Sequence, residues 1–303
     1  GTSSTSEHDV RQELEVLRTR LAAASEDVPL ELPSPLVLSR QLLALASTAR
    51  PFVLEPRALF VAWSGVLTLA YAGWPPEAAA AKARLESGLG AALAPEQPGS
   101  RWPKTTLGAL RDGRTLDLGE LERLVHVLDK FTSQIRGSGW RAEAQELSLT
   151  FFKCTGHERL FARRALPLAG GPLDEAAPGE AARRYSEEVL AEAADLAAYL
   201  PHVQRAGSNE SKYRTLRPGA SLVVFAQPPA DWLASLQAAV DGALPGAYAW
   251  LEPWPPRQGL GGSMLPICTP VVTLHLARLD LSAYRWNVRL PLPSGKIVCS
   301  LRS

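Results

Sequence analysis

Two short stretches of this 303-residue chain combine cations, flat rings and hydroxyls in the way a phosphate-bearing ligand is held. The first is Arg101, Trp102, Lys104, Thr105 and Thr106. The second is Lys212, Tyr213, Arg214 and Arg217 beside Ser208 and Asn209, opposed only by Glu210. Ammonium and guanidinium groups pair with phosphate, and aromatic rings stack on bases. Arg101, Trp102, Lys104, Lys212, Tyr213 and Arg214 are therefore the candidate ligand-binding residues, for RNA or a nucleotide. The competing reading for each stretch is a ring that packs a connector against the core while its cations stay solvated. A third cluster, Trp250, Pro253, Trp254, Pro255 and Pro256, reads either as a rigid apolar face or as a lid over the protein's own core. On the first reading Trp250 and Trp254 bind a protein partner, because proline fixes the backbone and tryptophan supplies contact area.

Other chemistry is sparse. His8, His126, His157, His202 and His275 are scattered, with no H-E-x-x-H spacing. No G-x-G-x-x-G, phosphate-binding loop or G-x-S-x-G pattern occurs, so no cofactor and no metal are expected. Cys154, Cys268 and Cys299 are odd in number, far apart and without a C-x-x-C, which argues against a disulfide framework or a cysteine zinc site.

The elements that must position these residues alternate along the chain. Val10, Leu14, Leu17 and Leu21 form an apolar seam on a short amphipathic helix. Its length is below the three or four heptads of a coiled coil, so docking onto a folded domain is expected. Residues 28–35 hold three prolines and read as a connector, followed by a helix over 36–49. Residues 59–71 are apolar, aromatic and β-branched with Ser64-Gly65 as a break, which predicts one kinked strand or a hairpin. A helix is expected over 77–93, a long connector over 94–112, a helix over 117–135, and a hairpin from 146–154 and 159–168. Residues 169–182, rich in Gly, Pro, Ala and acids, read as a linker. Beyond it come a helix over 183–200 stopped by Pro201, a basic loop over 205–217, a strand from 221 and a helix over 231–240. Strands over 271–279, 285–290 and 296–301 close the chain. The expected organisation is an N-terminal helix and connector (1–35), a first α+β lobe (36–168), a linker (169–182) and a second α+β lobe (183–303).

Composition sets the frame. Hydrophobic residues make up 46% and charged residues 21%, which excludes a wholly disordered chain. Net charge is +1, so the surface as a whole is not built for nucleic acid or an anionic membrane, although a local basic patch is compatible with it. No apolar stretch approaches the about 20 residues of a membrane span. The only methionine is Met264, so Gly1 is not an initiator. The expectation is a processed or excised soluble chain from a reducing compartment, the cytoplasm or an organelle that a targeting peptide reached.

The second half carries a resemblance. SLVVFAQPPADWLASLQAAV, followed by TPVVTLHLARL, resembles a lobe of the 2H phosphoesterases, the family of LigT-like RNA ligases and cyclic phosphodiesterases; GVLTLAYAGWPP is similar more faintly. The resemblance covers residues 221–290 and, in the first half, 59–168. It implies two sheet lobes flanked by helices, each with a His-x-Thr strand facing a cleft. It places Thr68 and Thr273 on the two motif threonines and Val66 and Val271 where the family has its catalytic histidines. Valine neither moves a proton nor donates to phosphate, so the family's general acid and base are missing. His275 shares a strand face with Thr273 and supplies the one local imidazole, with Arg278 on the opposite face.

Three functions are then expected of the chain. The first is a catalytically inactive 2H-like protein that acts in binding or in assembly of a protein or ribonucleoprotein complex. The second is an active phosphodiesterase using Thr68, Thr273 and His275. The third is an RNA-binding module working through the two basic and aromatic stretches.

Overall fold

The computed structural model describes residues 35–89, 93–94, 101–157, 160–215, 219–251, 272–279, 287–292 and 295–300. The expected seam at 10–21, Val271 and Trp254 lie outside them. In the first part of the chain, helix α1 (Pro35–Thr48) leads into β1 (Phe52–Leu54), β2 (Pro56–Ala62) and β3 (Val66–Tyr71). α2 (Pro76–Leu89), β4 (Lys104–Leu110), α3 (Leu118–Gly137), β5 (Ala142–Ala144), β6 (Glu146–Phe152) and β7 (Leu160–Pro167) follow. The rest comprises α4 (Glu180–Glu192), α5 (Leu196–Val203), α6 (Glu210–Arg214), β8 (Gly219–Ala226), α7 (Ala230–Ala243) and β9 (Tyr248–Trp250), then β10 (Val272–Leu279), β11 (Asn287–Leu292) and β12 (Gly295–Ser300).

Two four-stranded antiparallel sheets dominate, ordered β2-β3-β4-β9 and β10-β8-β6-β7, with two-stranded pairs β1-β5 and β11-β12. Each large sheet draws strands from both sides of residues 169–182. β9 completes the first sheet beside β4, and β6 pairs with β8 in the second. Strand pairing thus crosses the division expected there, and one hydrophobic cluster holds residues of both sheets. The expected linker is itself tied down, because Asp174 N–H donates to Pro51 O at 2.8 Å and Ala169 N–H to Ala49 O at 2.7 Å.

Local chemistry explains the main elements. α3 repeats Leu121, Leu124, Leu128, Phe131 and Ile135 on one face, all buried. Its start is fixed by a capping box: Glu120 N–H donates to Asp117 Oδ1 at 2.8 Å, and Asp117 N–H to Glu120 Oε2 at 3.1 Å. Fully burying each leucine contributes about 1.5–3 kcal/mol. The break at Ser64-Gly65 makes a true hairpin: Ser64 and Gly65 adopt φ of 61° and 73°, the left-handed region, and turn β2 into β3. A Cβ on Gly65 would also fall on the Leu110 side chain.

Three local expectations are corrected. The connector expected over 94–112 contains β4, an interior strand, because Thr105, Leu107 and Ala109 alternate into the core behind a polar face. The helix expected over 183–200 is two helices, since Asp195 caps a new one by accepting from Ala198 N–H at 3.1 Å, and Pro201 lies inside α5 without ending it. The basic loop carries the short helix α6.

Candidate ligand-binding surface around α6

β3 is buried along its whole length and divides two environments. Leu67, Leu69 and Tyr71 enter the main core, whereas Ala70 joins Phe60 and Trp102 beneath Val189 and Leu190 of α4. Thr68 is opposite Phe60 on β2 and Thr106 on β4, and is 1% exposed. Its hydroxyl donates to Val66 O at 3.2 Å. One step along, Lys104 sits opposite Ala70, with its Nζ 4.4 Å from the centre of the Trp102 ring. Burial holds this ammonium down to a pKa of about 8. Trp102 also packs at 5.8 Å against Phe60 and is 7% exposed, so its ring belongs to the interior. Arg101, just before the strand, is exposed.

From this face the structure reaches the second basic stretch. Burial pushes the Tyr213 phenol up, and the Thr106 and Ser208 hydroxyls beside it pull against that shift. Tyr213 O accepts from Gly156 N–H at 3.1 Å, and Lys212 O from Thr155 Oγ1 at 3.1 Å. Ser211 N–H donates to Asp112 Oδ1 at 3.1 Å. α6 is therefore pinned to β4 and to the turn after β6, with Lys212 and Arg214 exposed on it. Lys212 Nζ donates to Ser208 Oγ at 2.9 Å. The Glu210 carboxylate lies between two guanidiniums, Arg214 and, at 3.4 Å, Arg111. Arg214 Nη2 also donates to Trp250 O at 3.2 Å.

Open pockets flank α6. One, of about 340 Å³, is lined by Gly207, Asn209, Ser211, Lys212 and Thr215. The other, of about 440 Å³, is lined by Arg111, Arg214, Asp241, Gly246, Tyr248 and Trp250 among others. Trp250, expected in a loop, ends β9 opposite Gly108, and its Cε3 lies 3.6 Å from where a Gly108 Cβ would stand. Its indole N–H is buried with no acceptor among the described residues.

The second sheet has a polar face that sequence reasoning missed. His157, in the left-handed region at φ 57°, places Nε2 3.0 Å from Ser221 Oγ; Ser221 Oγ is 3.3 Å from Thr150 Oγ1, which donates to Ser221 O at 3.1 Å. A serine beside an imidazole is the raw material of a nucleophile and base. These two are 1% and 2% exposed, and the His157 ring meets Phe152 edge-on at 4.6 Å. The arrangement satisfies interior polar groups. Arg163 borders this face, donating to Ser148 Oγ at 3.0 Å. The one sequence signal was the Thr155-Gly156-His157 turn, which carries no hint of residues so distant.

β10 supplies the other motif positions. Thr273 is opposite Phe225 and His275 opposite Val223. An irregularity between His275 and Ala277 then puts Arg278 opposite Ser221, two residues from Val223 on the same side of β8. The inserted residue shifts the register, so strict alternation does not carry along β10 past His275. Thr68 and Thr273 fall in different sheets, the first in an interior strand and the second on an edge strand.

The surface around α6 can hold an anion and a flat ring; the interior hydroxyls and imidazole can satisfy one another. Among the described residues no group of three or more His, Cys, Asp or Glu could hold a metal ion, and no helix is long and apolar enough to cross a membrane. No family model, curated protein or solved structure matches the chain.

Proposed function

We propose that the chain is a catalytically inactive, 2H-phosphoesterase-like binding protein that holds RNA through α6 and its two flanking pockets, in the assembly of a ribonucleoprotein complex. One observation carries this reading. The two basic and aromatic stretches, far apart in sequence, meet where the Tyr213 phenol stands beside the Thr106 hydroxyl, and Lys212 and Arg214, exposed there, each line an open pocket. Val66, on the family's histidine position, is buried in β3 and offers no proton chemistry. A fluorescence anisotropy titration with a labelled single-stranded RNA of about 12 nucleotides tests it. Wild-type protein binds saturably, and a Lys212→Ala, Arg214→Ala variant weakens binding at least about tenfold, as loss of two phosphate contacts requires. Equal affinity of variant and wild type rejects the assignment.

The phosphodiesterase reading keeps one observation in its favour: β10, which carries Thr273 and His275, is an edge strand of its sheet, and Arg278 on the same strand is exposed. Hydrolysis of a 2′,3′-cyclic nucleotide that disappears in His275→Ala would establish it. Activity unchanged by that substitution, or none in wild type, removes it.

A further inference from the structure

We infer that the pocket between α6, β9 and the end of α7 is a subsite for a single phosphorylated guanine nucleotide, with the ring on Trp250, the phosphate on Arg111 and Arg214, and the base edge on Asp241. The inference rests on the RNA-binding reading and deepens it. Arg111 and Arg214, 52% and 40% exposed at their side chains, stand together at one end because both pair with the Glu210 carboxylate. Forked guanidiniums are matched to phosphate oxygens. Trp250 sets its Cε3 3.6 Å from where a Gly108 Cβ would stand and is among the residues that line the pocket; an aromatic wall takes a base by stacking.

Asp241 is exposed and supplies an acceptor-only group. Among the common bases, guanine offers a carboxylate two adjacent N–H donors, while adenine and cytosine present one amino group beside an acceptor. The charge count limits the ligand. Arg111 and Arg214 share the Glu210 carboxylate and Asp241 adds a second, so these four groups carry no net charge and a triphosphate is disfavoured against a monophosphate. A volume of about 440 Å³ lies within the range of small-ligand sites.

Isothermal titration with GMP, guanosine, AMP and GTP tests the subsite on the full chain. GMP is expected to bind saturably, with guanosine, AMP and GTP each at least about tenfold weaker. Arg111→Ala is expected to bring GMP to the level of guanosine. Asp241→Asn is expected to remove the preference for GMP over AMP. Both residues are exposed, and thermal melting checks that the variants fold. Guanosine binding as well as GMP, or discrimination surviving Asp241→Asn, overturns the proposal. RNAs with a 5′-phosphoguanosine or a 5′-hydroxyl end separate the two sources of this chemistry. A preference for the phosphorylated end assigns the pocket to an RNA terminus, and GMP binding without that preference assigns it to a free nucleotide. RNA binding that persists without any GMP binding refutes the subsite alone, whereas loss of both refutes the RNA-binding reading as well.

Discussion

Lys104 makes stability depend on pH in a direction opposite to that of most surface charges. Its amine is held at about 8 by burial against an ordinary value of 10.5. Around pH 7 the native and unfolded chains both carry the proton, and the native state bears the cost of a desolvated ammonium beside Trp102. As pH rises through about 8 the native amine loses its proton first, and from there to 10.5 the unfolded chain binds more protons, so stability increases with pH. Applying the linkage relation to these two values gives a gain of about 2 kcal/mol between about pH 7 and pH 9.5. Lys104→Met removes the ionisation while keeping most of the side-chain volume. Denaturant unfolding of both proteins at the two pH values isolates the contribution, since other groups cancel in the difference. Wild type is expected to gain about 2 kcal/mol relative to Lys104→Met on going to the higher pH. A difference that stays constant, or falls, refutes the buried placement of the amine.

Further outcomes follow from single contacts. Gly65→Ala, which forces a left-handed backbone and drives a methyl into Leu110, is expected to cost about 3 kcal/mol in denaturant unfolding. Asp117→Ala removes the cap of α3 and is expected to cost about 1 kcal/mol, with Asp117→Asn recovering most of it. A double-mutant cycle of Tyr213→Phe and Thr106→Val is expected to show coupling of about 1 kcal/mol, and zero coupling would show that the two hydroxyls do not interact.

The local elements were legible where the apolar period was strong. The five-residue seam of α3, the β6–β7 hairpin and β8 all lie close to where spacing places them. β4 was hidden because Gly108, Lys104 and two threonines dilute its alternation, and its identity as a strand depends on neighbours supplied by β3 and β9. Non-local pairing was illegible for a different reason. Nothing in a local pattern says that β6 seeks β8 across the expected linker, since that choice is made by burial of one face of each strand in a common core. The site divides in the same way. Residue types flagged Lys212, Tyr213, Arg214 and Trp250, but the approach of Tyr213 to Thr106, the pairing of Arg111 with Glu210 and the His157–Ser221 contact arise only when distant segments pack. The register of β10 was equally hidden, because one inserted residue between His275 and Ala277 breaks strict alternation.

RNA binding by the α6 surface is most directly tested by its salt dependence. Phosphate contacts release counterions, so the logarithm of the association constant must fall linearly with that of salt, with a slope of about −0.7 per contact on a single strand. For wild type, contacts from Arg111, Lys212 and Arg214 predict a slope near about −2, and the Lys212→Ala, Arg214→Ala variant a slope shallower by about 1.4. A flat dependence in wild type, or the same slope in both proteins, contradicts the account.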